Sequence, residues 1–592
     1  MKFQKFISEL VRRNVIKAII AYLAIAWVII QIASVIFPVF NFPDYSLKVL
    51  IYILSVGLFL WIGFSWVYDL TSEGFRKTKD IENSEEVSKL NSRRLNRIIV
   101  GSLSLAVLLL IVLSFWAGSL WNEGLLIKDT KKVAVIPFVV NTDEQSDYFK
   151  TGMTDALIED LSKIDQLKVI SQESTRLLEA PLNTANILVL NELKRIEYFV
   201  YGTIDYRTNK LNINIQLKES PDADPIWEKD YSGDITEVKA LWADAAADLA
   251  RQMGIVVKED QLQSSSEIRS INPETYELYL KGKHNLSKST PMNWMKGLVY
   301  LQEAVDKNPG DSYAYSGLAE GYVMLGHGPD PPLDVFPKAR AAALRAIELD
   351  SMNAEGWAAL AHYHTYFGWD WKMAEYAFNR ANDLNPNMAY NHYHRAWYLA
   401  LFGRMDEAID EHKLAQELDP FTPLHTAWLG ELYRMVGLNE EGLAEIEKVM
   451  QMQDDLALGY LVKGRILMSM GRTEEGLEAL KRATDIFPGW KYFGYGPALI
   501  EAGKIDQGKA VIHELENMPT TPYGALCLGF MYSDLGDITK TIEWLSYKEK
   551  HGWYPWIRVL LPNKDVLRDP RFLELIKEMN LPDPAPLVFE NK

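Results

Sequence analysis

The feature that most constrains this chain is a periodic spacing of small residues within residues 357–488. Ala374, Ala408, Gly442 and Gly476 follow one another at intervals of 34 residues. Small residues let two helices approach closely enough to interlock, and a proline after the second helix ends it. Two further sets keep the same phase, namely Gly403, Gly437 and Gly471 together with Pro386, Pro420 and Pro488. The spacing therefore predicts a tandem array of antiparallel helix pairs.

A period of 34 residues with these offsets resembles the tetratricopeptide repeat (TPR), a unit of two antiparallel helices. Extending the phase in both directions predicts about eight units over residues 272–566, followed by a cap helix and tail over residues 567–592. We therefore expect an all-α superhelix for this part of the chain. Its first helices line a concave groove, which is where such arrays take an extended peptide or a partner helix.

The groove positions of the first helices predict where a partner would bind. Aromatic side chains and arginine are the residue types that anchor most interfaces. Aromatic residues in repeat helices also pack between neighbouring repeats, so each of them has a second interpretation as core. The candidate residues for binding a protein or peptide are His362, Tyr366, Tyr390, Tyr393, Trp397, Glu431, Arg434, Arg465, Trp490 and Phe493.

Two His-Tyr-His triplets, at residues 362–364 and 392–394, raise the question of a metal site. Helix residues two apart point about 200° away from each other, so neither triplet can chelate one ion. A site shared between the two helices stays open, although no acidic or cysteine ligand accompanies it in phase. Packing and groove polarity explain both triplets better, and we predict no metal and no cofactor.

Three apolar runs precede the repeats, at residues 15–37, 47–67 and 98–120. Each has about the 20 residues that a helix needs to cross a bilayer. Lysine and arginine concentrate before the first run and in the loop at residues 68–97. The sequence thus predicts three transmembrane helices in a bacterial inner membrane, with the amino terminus cytoplasmic and residues after about 121 outside the cytoplasm.

A resemblance supports the membrane prediction. The segment 9–15 (Glu-Leu-Val-Arg-Arg-Asn-Val), the segments Ala21-Tyr22-Leu23 and Ala26-Trp27, and Gln31 are similar to a membrane module of Gram-negative proteins that carry TPR arrays. These proteins include certain adenylate cyclases and CadC-like transcription regulators. The segment 68–74 (Tyr-Asp-Leu-Thr-Ser-Glu-Gly) resembles the same module, with Ser72 where proline is usual. The resemblance implies a chain anchored in the lipid bilayer.

Short strand-type runs alternate with helical periodicity over residues 131–256, which predicts a small α/β domain. It resembles the TolB amino-terminal-like or FlgO-like domain. A polar, serine-rich stretch at residues 257–271 is the expected linker to the repeats. The residues that carry the resemblance are Val135-Ile136-Pro137-Phe138, Tyr148-Phe149, Gly152-Met153-Thr154, Tyr201-Gly202 and Trp227.

Composition limits the remaining functions. A net charge of −17 argues against nucleic acid as a partner, because phosphate binding needs a basic face. The single cysteine, Cys527, excludes an intrachain disulfide. The sequence shows no nucleophile elbow, zinc-ligand spacing or phosphate loop, so we predict that the protein is not an enzyme. It does not determine the oligomeric state.

The sequence therefore predicts a multidomain protein with three transmembrane helices, a small α/β domain and a TPR superhelix. The expected function is a membrane-anchored scaffold that binds protein or peptide partners on the extracytoplasmic side. An alternative is a sensory or regulatory protein that relays periplasmic binding to a cytoplasmic partner.

Overall fold

The computed structural model of the 592-residue chain divides into two compact units, residues 1–129 and 130–592. The residues that the structure describes are isolated positions between 19 and 33, and the ranges 46–71, 74–77, 130–142, 147–175, 196–220, 224–257, 272–287, 291–327, 334–561 and 563–581.

The first unit contains helix α1 (Ser46–Val67) and a short antiparallel hairpin of β1 (Tyr68–Thr71) and β2 (Gly74–Lys77). The hydroxyl of Tyr22 donates a hydrogen bond to the carbonyl of Leu54, 2.8 Å away, so α1 packs against protein at this point.

The membrane prediction needs correction. Across the residues that the structure describes, no helix has the length and apolar character needed to cross a bilayer. The predicted span at 98–120 lies outside those residues, and so does most of the span at 15–37. The predictions of three transmembrane helices and of an inner-membrane location are therefore wrong. Apolar runs of this length also form helices that pack against other protein elements. The run alone therefore does not determine whether lipid or protein surrounds the helix.

The second unit begins with a mixed six-stranded sheet. Parallel pairs join β3 to β5 and β6, and β4 to β6, while β6, β7 and β8 form an antiparallel meander. Alternate apolar residues of the strands face helices α2 and α4, where Phe138 stacks on Trp242. The elements are β3 (Lys131–Val135), β4 (Val139–Thr142), α2 (Asp147–Ser162), β5 (Leu167–Ile170), α3 (Gln172–Thr175), β6 (Tyr198–Arg207), β7 (Lys210–Glu219), β8 (Pro225–Asp234) and α4 (Val238–Gln252). The specific resemblance to a TolB-like domain stays a prediction.

Helix pairs follow, in the order expected of a TPR-like superhelix. In each pair the first helix lines the inner face and the second lies outside it. The pairs are α5 (Pro273–Leu286) with α6 (Pro291–Lys307), α7 (Ser312–Gly326) with α8 (Val335–Leu349), α9 (Ala354–Tyr363) with α10 (Trp371–Leu384), α11 (Ala389–Leu401) with α12 (Met405–Leu418), α13 (Pro423–Met435) with α14 (Asn439–Met452), α15 (Ala457–Ser469) with α16 (Thr473–Ile486), α17 (Gly496–Glu501) with α18 (Ile505–Glu516), and α19 (Pro522–Asp534) with α20 (Ile538–Leu545).

The repeated small residues have the packing role that the sequence predicted. A Cβ atom on Gly476 would come within 3.0 Å of the carbonyl oxygen of Gly464 on the preceding helix, so the two backbones touch. The glycines five residues earlier end the first helix of each pair in a left-handed conformation, as Gly437 does with φ 79°. Trp369 takes the same phase 34 residues before Gly403, and it is left-handed too, with φ 49°.

The α/β domain is docked on the helical array. Asn387, between α10 and α11, accepts a hydrogen bond from the amide of Val169 (3.1 Å) and donates to the carbonyls of Ser162 (3.0 Å) and Leu167 (2.9 Å). Lys168 forms an ion pair with Glu417 at 2.7 Å. Backbone and side-chain contacts of this kind hold the sheet at the edge of the array where the first helices begin.

After α20 the chain turns back across the array. This C-terminal segment, residues 551–581, contains α21 (Ile557–Leu560), α22 (Lys564–Arg568) and α23 (Pro570–Glu578). Its Trp556 donates from Nε1 to the carbonyl of Trp397 at 3.2 Å, and Trp371 donates from Nε1 to the carbonyl of Met579 at 2.8 Å. The segment therefore links the last helix pair to the third and fourth pairs.

Candidate functional site on the concave surface

The C-terminal segment covers one part of the predicted groove, which we call the closed half. Four of the predicted partner-binding residues there are between 1 and 5 % exposed: His362, Tyr366, Tyr393 and Trp397. Tyr366 stacks on Trp556 with ring centroids 5.0 Å apart. These side chains are therefore core rather than free surface, which is the second interpretation that the sequence left open.

Tyr390, also predicted to bind a partner, lies against the same buried group. Its ring makes edge contacts with His362 at 4.9 Å and His394 at 4.3 Å between centroids. It is only partly exposed. Five of the ten predicted residues therefore lie in the closed half, in one cluster of aromatic and imidazole rings.

Histidines from four helix pairs meet in this cluster. The ring centroid of His394 lies 4.1 Å from that of His362 and 5.1 Å from that of His327. His412 and His425 extend the group, each about 5 Å from the ring of Tyr393. In the described structure one nitrogen of each of these five histidines is buried without a hydrogen-bond partner.

Burial keeps four histidines of this cluster uncharged. Desolvation lowers the pKa of His327 and of His412 to about 3, and lowers the pKa of His362 and His394 well below the usual value. The neighbouring imidazoles add to the effect in each case, because a second positive charge nearby is unfavourable. These four histidines therefore act as neutral polar groups in the core.

The two His-Tyr-His triplets do not form a shared metal site. His362 and His394 come together, but His392 points away and its Nδ1 lies 2.6 Å from Glu411. In the part of the chain that the structure describes, no three histidine, cysteine or carboxylate side chains are placed to hold a metal ion. The sequence missed His327, His412 and His425 because they come from three other elements.

The remaining predicted residues line the open half of the concave surface. Glu431 is buried on α13, and its carboxylate accepts from Arg434 at both oxygens, at 2.8 and 3.0 Å. Arg465 on α15 shares that carboxylate, with Nη2 3.1 Å from Oε1. The side chains of Arg434 and Arg465 remain 13 and 20 % exposed. Two guanidinium groups therefore rest on one buried anion at the floor of the groove.

Aromatic rings continue this floor toward the end of the array. The guanidinium carbon of Arg465 lies 5.5 Å from the ring centroid of Phe493, a cation–π contact. Trp490 and Phe493 have centroids 6.0 Å apart, and both are partly exposed. The long side chain of Arg465 is thus held in place from below and from one side.

Two carboxylates that the sequence did not single out interact electrostatically with these arginines. Asp534 ends α19 and Glu501 ends α17. Neither carboxylate has a hydrogen-bond or ion-pair partner among the described residues, and no nitrogen–oxygen pair between Arg465 and Asp534 lies within 4.0 Å. They occupy equivalent positions in successive repeats, each two residues before a left-handed glycine, Gly503 and Gly536.

The charged groups of the open half influence one another's pKa values. Desolvation lowers the pKa of Arg465 to about 10, with Glu431 acting in the opposite direction. Desolvation and the nearby Glu501 raise the pKa of Asp534 to about 7, which Arg465 partly offsets. Burial therefore disfavours the charged form of both groups.

No protein-family model matches the chain. Among curated proteins it is 22% identical over 234 residues to a Rhizobium meliloti (strain 1021) protein named "Putative adenylate cyclase 3", covering 39% of each chain. It is 27% identical over 209 residues to the transcriptional regulator HilA of Salmonella typhimurium, covering 35% of each. The chain thus spans less than two-fifths of these relatives.

Solved structures with a similar arrangement are TPR proteins and other helical-repeat chains. Cut9 with Hcn1 of the APC/C matches over 58% of this chain and 63% of its own, with 14% identity and a TM-score of 0.36. The TPR protein YrrB matches over 32% and 92%, with 20% identity and a TM-score of 0.25. Human IFIT1 with m7Gppp-AAAA matches over 53% and 76%, with 14% identity and a TM-score of 0.34. At these TM-scores the likenesses carry no functional argument.

Proposed function

We propose that this protein is a non-enzymatic scaffold that binds other proteins or peptides through the open half of its concave surface. The observation that carries the proposal is the group formed by Arg434, Arg465, Trp490 and Phe493. Each of these side chains is partly exposed, and the arginines are held by Glu431 and an aromatic ring. Rigid arginine and aromatic side chains in a concave surface are the usual anchors of protein recognition.

Charge supports a protein partner over nucleic acid. The chain carries a net charge of −17, and Arg465 interacts electrostatically with the carboxylates of Glu431, Glu501 and Asp534. A phosphate backbone would be repelled by such surroundings. The matched segments of the cyclase and of HilA are about a third of those proteins, and no separate observation on this chain favours nucleotide cyclisation or transcription control.

A photocrosslinking amino acid at position 490 in intact cells tests the proposal. We expect discrete crosslinked products with other proteins, because Trp490 borders the open half. The matched control places the same amino acid at Tyr376, which is 56% exposed on the outer helix α10. Products that form equally at both positions, or at neither, would contradict a binding role for the concave surface.

A further inference from the structure

The C-terminal segment occupies the closed half in the way that a peptide ligand occupies a groove. The ring centroid of Trp553 lies 5.7 Å from that of Tyr366 and 5.3 Å from that of Trp397. It also lies 6.0 Å from that of Trp428. These three rings come from successive helix pairs, in the turn after α9, on α11 and on α13. One side chain of the segment therefore contacts three repeats, as a ligand on a concave repeat surface does.

A second aromatic anchor follows three residues later. Trp556 stacks on Tyr366 and donates from Nε1 to the carbonyl of Trp397 at 3.2 Å. Its ring centroid lies 4.9 Å from that of Trp553, so the two indoles fill one continuous space. These contacts are ring packing and one indole hydrogen bond. A separate peptide with the same two side chains can make all of them.

The surface beneath the segment contains polar atoms that the segment leaves without partners. His327 contacts Trp553, at 6.5 Å between ring centroids, and its Nε2 has no hydrogen-bond partner in the described structure. His394 has an unpartnered Nε2 as well, while its Nδ1 lies 2.8 Å from the hydroxyl of Tyr366. A buried polar atom without a partner costs free energy that is recovered when water reaches it. Closure by the segment is therefore less favourable than its aromatic contacts alone would make it.

The segment borders the open half at Trp553. This ring is partly exposed, whereas Trp556 is fully buried. Trp428, on which Trp553 stacks, is also partly exposed and lies one helical turn before Glu431 on α13. Solvent and a partner therefore reach the segment first at Trp553, and local opening from this edge would uncover Trp397.

We propose that the closed half is a second peptide-binding site, which residues 551–558 occupy in the manner of a bound ligand and vacate when a partner replaces them. The partner that fits is an extended segment with two aromatic side chains three residues apart. Its first ring takes the place of Trp553 among the three rings around it. Its second is tryptophan, because an indole N–H has to donate to the carbonyl of Trp397. The site goes beyond the proposed function and makes no use of the side chains of the open half.

A synthetic peptide with the sequence of residues 551–558, His-Gly-Trp-Tyr-Pro-Trp-Ile-Arg, is the probe. Fluorescence anisotropy measures its binding to the full chain as wild type and as Trp553→Ala. The apparent affinity of a site falls with the fraction of molecules in which the site is open, and loss of the Trp553 contacts increases that fraction. We therefore expect Trp553→Ala to bind the peptide about tenfold more tightly than the wild type, or better. The matched control is Tyr376→Ala on the exposed outer face of α10, which should bind as the wild type does.

Two changes in the peptide test which of its groups are recognised. Replacing both of its tryptophans by alanine should abolish binding to Trp553→Ala, because every ring contact is lost. Replacing only the second by phenylalanine keeps a ring and removes the N–H. We expect that peptide to bind about three- to tenfold more weakly, the value of one neutral hydrogen bond.

Hydrogen exchange in the wild-type chain tests the opening without any substitution. The amides of Tyr554, Trp556 and Leu561 donate hydrogen bonds within the segment. Because the segment opens locally in this proposal, we expect these amides to exchange about tenfold faster, or more, than the amides of α11 beneath them. Exchange no faster than that of α11 would mean that the segment opens only when the whole array unfolds, which overturns the proposal.

The binding outcomes decide the rest. Tighter binding of the peptide by Trp553→Ala, lost with the alanine peptide, supports the second site. Equal binding by Trp553→Ala and the wild type overturns it, and so does equal binding of the alanine peptide. A phenylalanine peptide that binds as tightly overturns the role of the indole N–H. Far-UV circular dichroism checks that Trp553→Ala is folded, and Trp553→Phe takes its place in the same comparison if it is not. Crosslinking at position 490 does not involve this site, so the failure of either proposal is recognised separately.

Discussion

The indole Nε1 of Trp556 donates a hydrogen bond to the backbone carbonyl of Trp397, which lies 159 residues earlier in the chain. Trp556 is fully buried and also stacks on Tyr366. This contact closes one half of the concave surface with the protein's own C-terminal segment. It leaves the half around Arg465 as the accessible part of the groove.

Replacing Trp556 by alanine should therefore destabilise the array strongly. We expect the free energy of unfolding in urea to fall by about 3–5 kcal/mol, because a large fully buried ring is removed and the Trp397 carbonyl loses its donor. Tyr376→Ala, on the exposed outer face, should change it by less than about 1 kcal/mol. Equal effects of the two substitutions would show that the C-terminal segment is not part of the core.

Asn387→Ala should loosen the α/β domain from the repeats. The asparagine side chain satisfies three backbone groups near β5, and their loss costs about 1–3 kcal/mol. We expect faster hydrogen exchange in Leu167–Ile170 and a lower melting temperature. The control is Asn517→Ala, which removes a single exposed hydrogen bond to the carbonyl of His513. Unaltered exchange in β5 would contradict the docking role of Asn387.

The histidine cluster should make stability depend on pH below about 6.5. Burial holds the pKa of His327 and His412 at about 3, whereas an unfolded histidine titrates near 6.5. The unfolded chain then binds more protons, so stability is full above pH 6.5 and falls as pH drops toward 3. Each such histidine contributes a loss of about 1.4 kcal/mol per pH unit in this window.

Urea unfolding at pH 7.5, 6.5 and 5.5 measures this dependence. His362→Phe should reduce the slope between pH 6.5 and 5.5, because His362 is another member of the cluster with a pKa lowered by burial. His513→Phe on the surface of α18 is the matched control and should leave the slope unchanged. A wild-type stability that does not fall over this range would show that the histidines are not buried and neutral.

Trp369 should tolerate glycine better than alanine. Its backbone has φ 49°, where a side chain costs roughly 1 kcal/mol or more, and glycine avoids this cost. Both substitutions also lose the ring contact with Tyr554, whose centroid lies 6.2 Å away. We therefore expect Trp369→Ala to be about 1 kcal/mol less stable than Trp369→Gly in the same urea assay. The reverse order would contradict a left-handed residue 369.

The repeat period predicted the helix pairs because its determinants are local. Gly464 and Gly476 face each other within one pair, and Gly437 ends a helix, so a single unit of sequence contains the necessary information. Five of the predicted groove residues, such as Glu431 and Arg465, lie outside the closed half, and their role in binding a partner stays a prediction. The transmembrane prediction failed for a related reason, since an apolar run does not specify what surrounds a helix.

The sequence by itself determined the order of the α/β and helical-repeat parts and the phase of the repeats, and it predicted which positions could line the groove. Only the tertiary structure decided which of those positions are open, because residues 551–561 reach Tyr366 and Trp397 across the array. It also gathered histidines from four helix pairs. These relationships depend on the curvature of the whole array, which builds up over successive repeats. A local pattern of residues does not specify that total curvature.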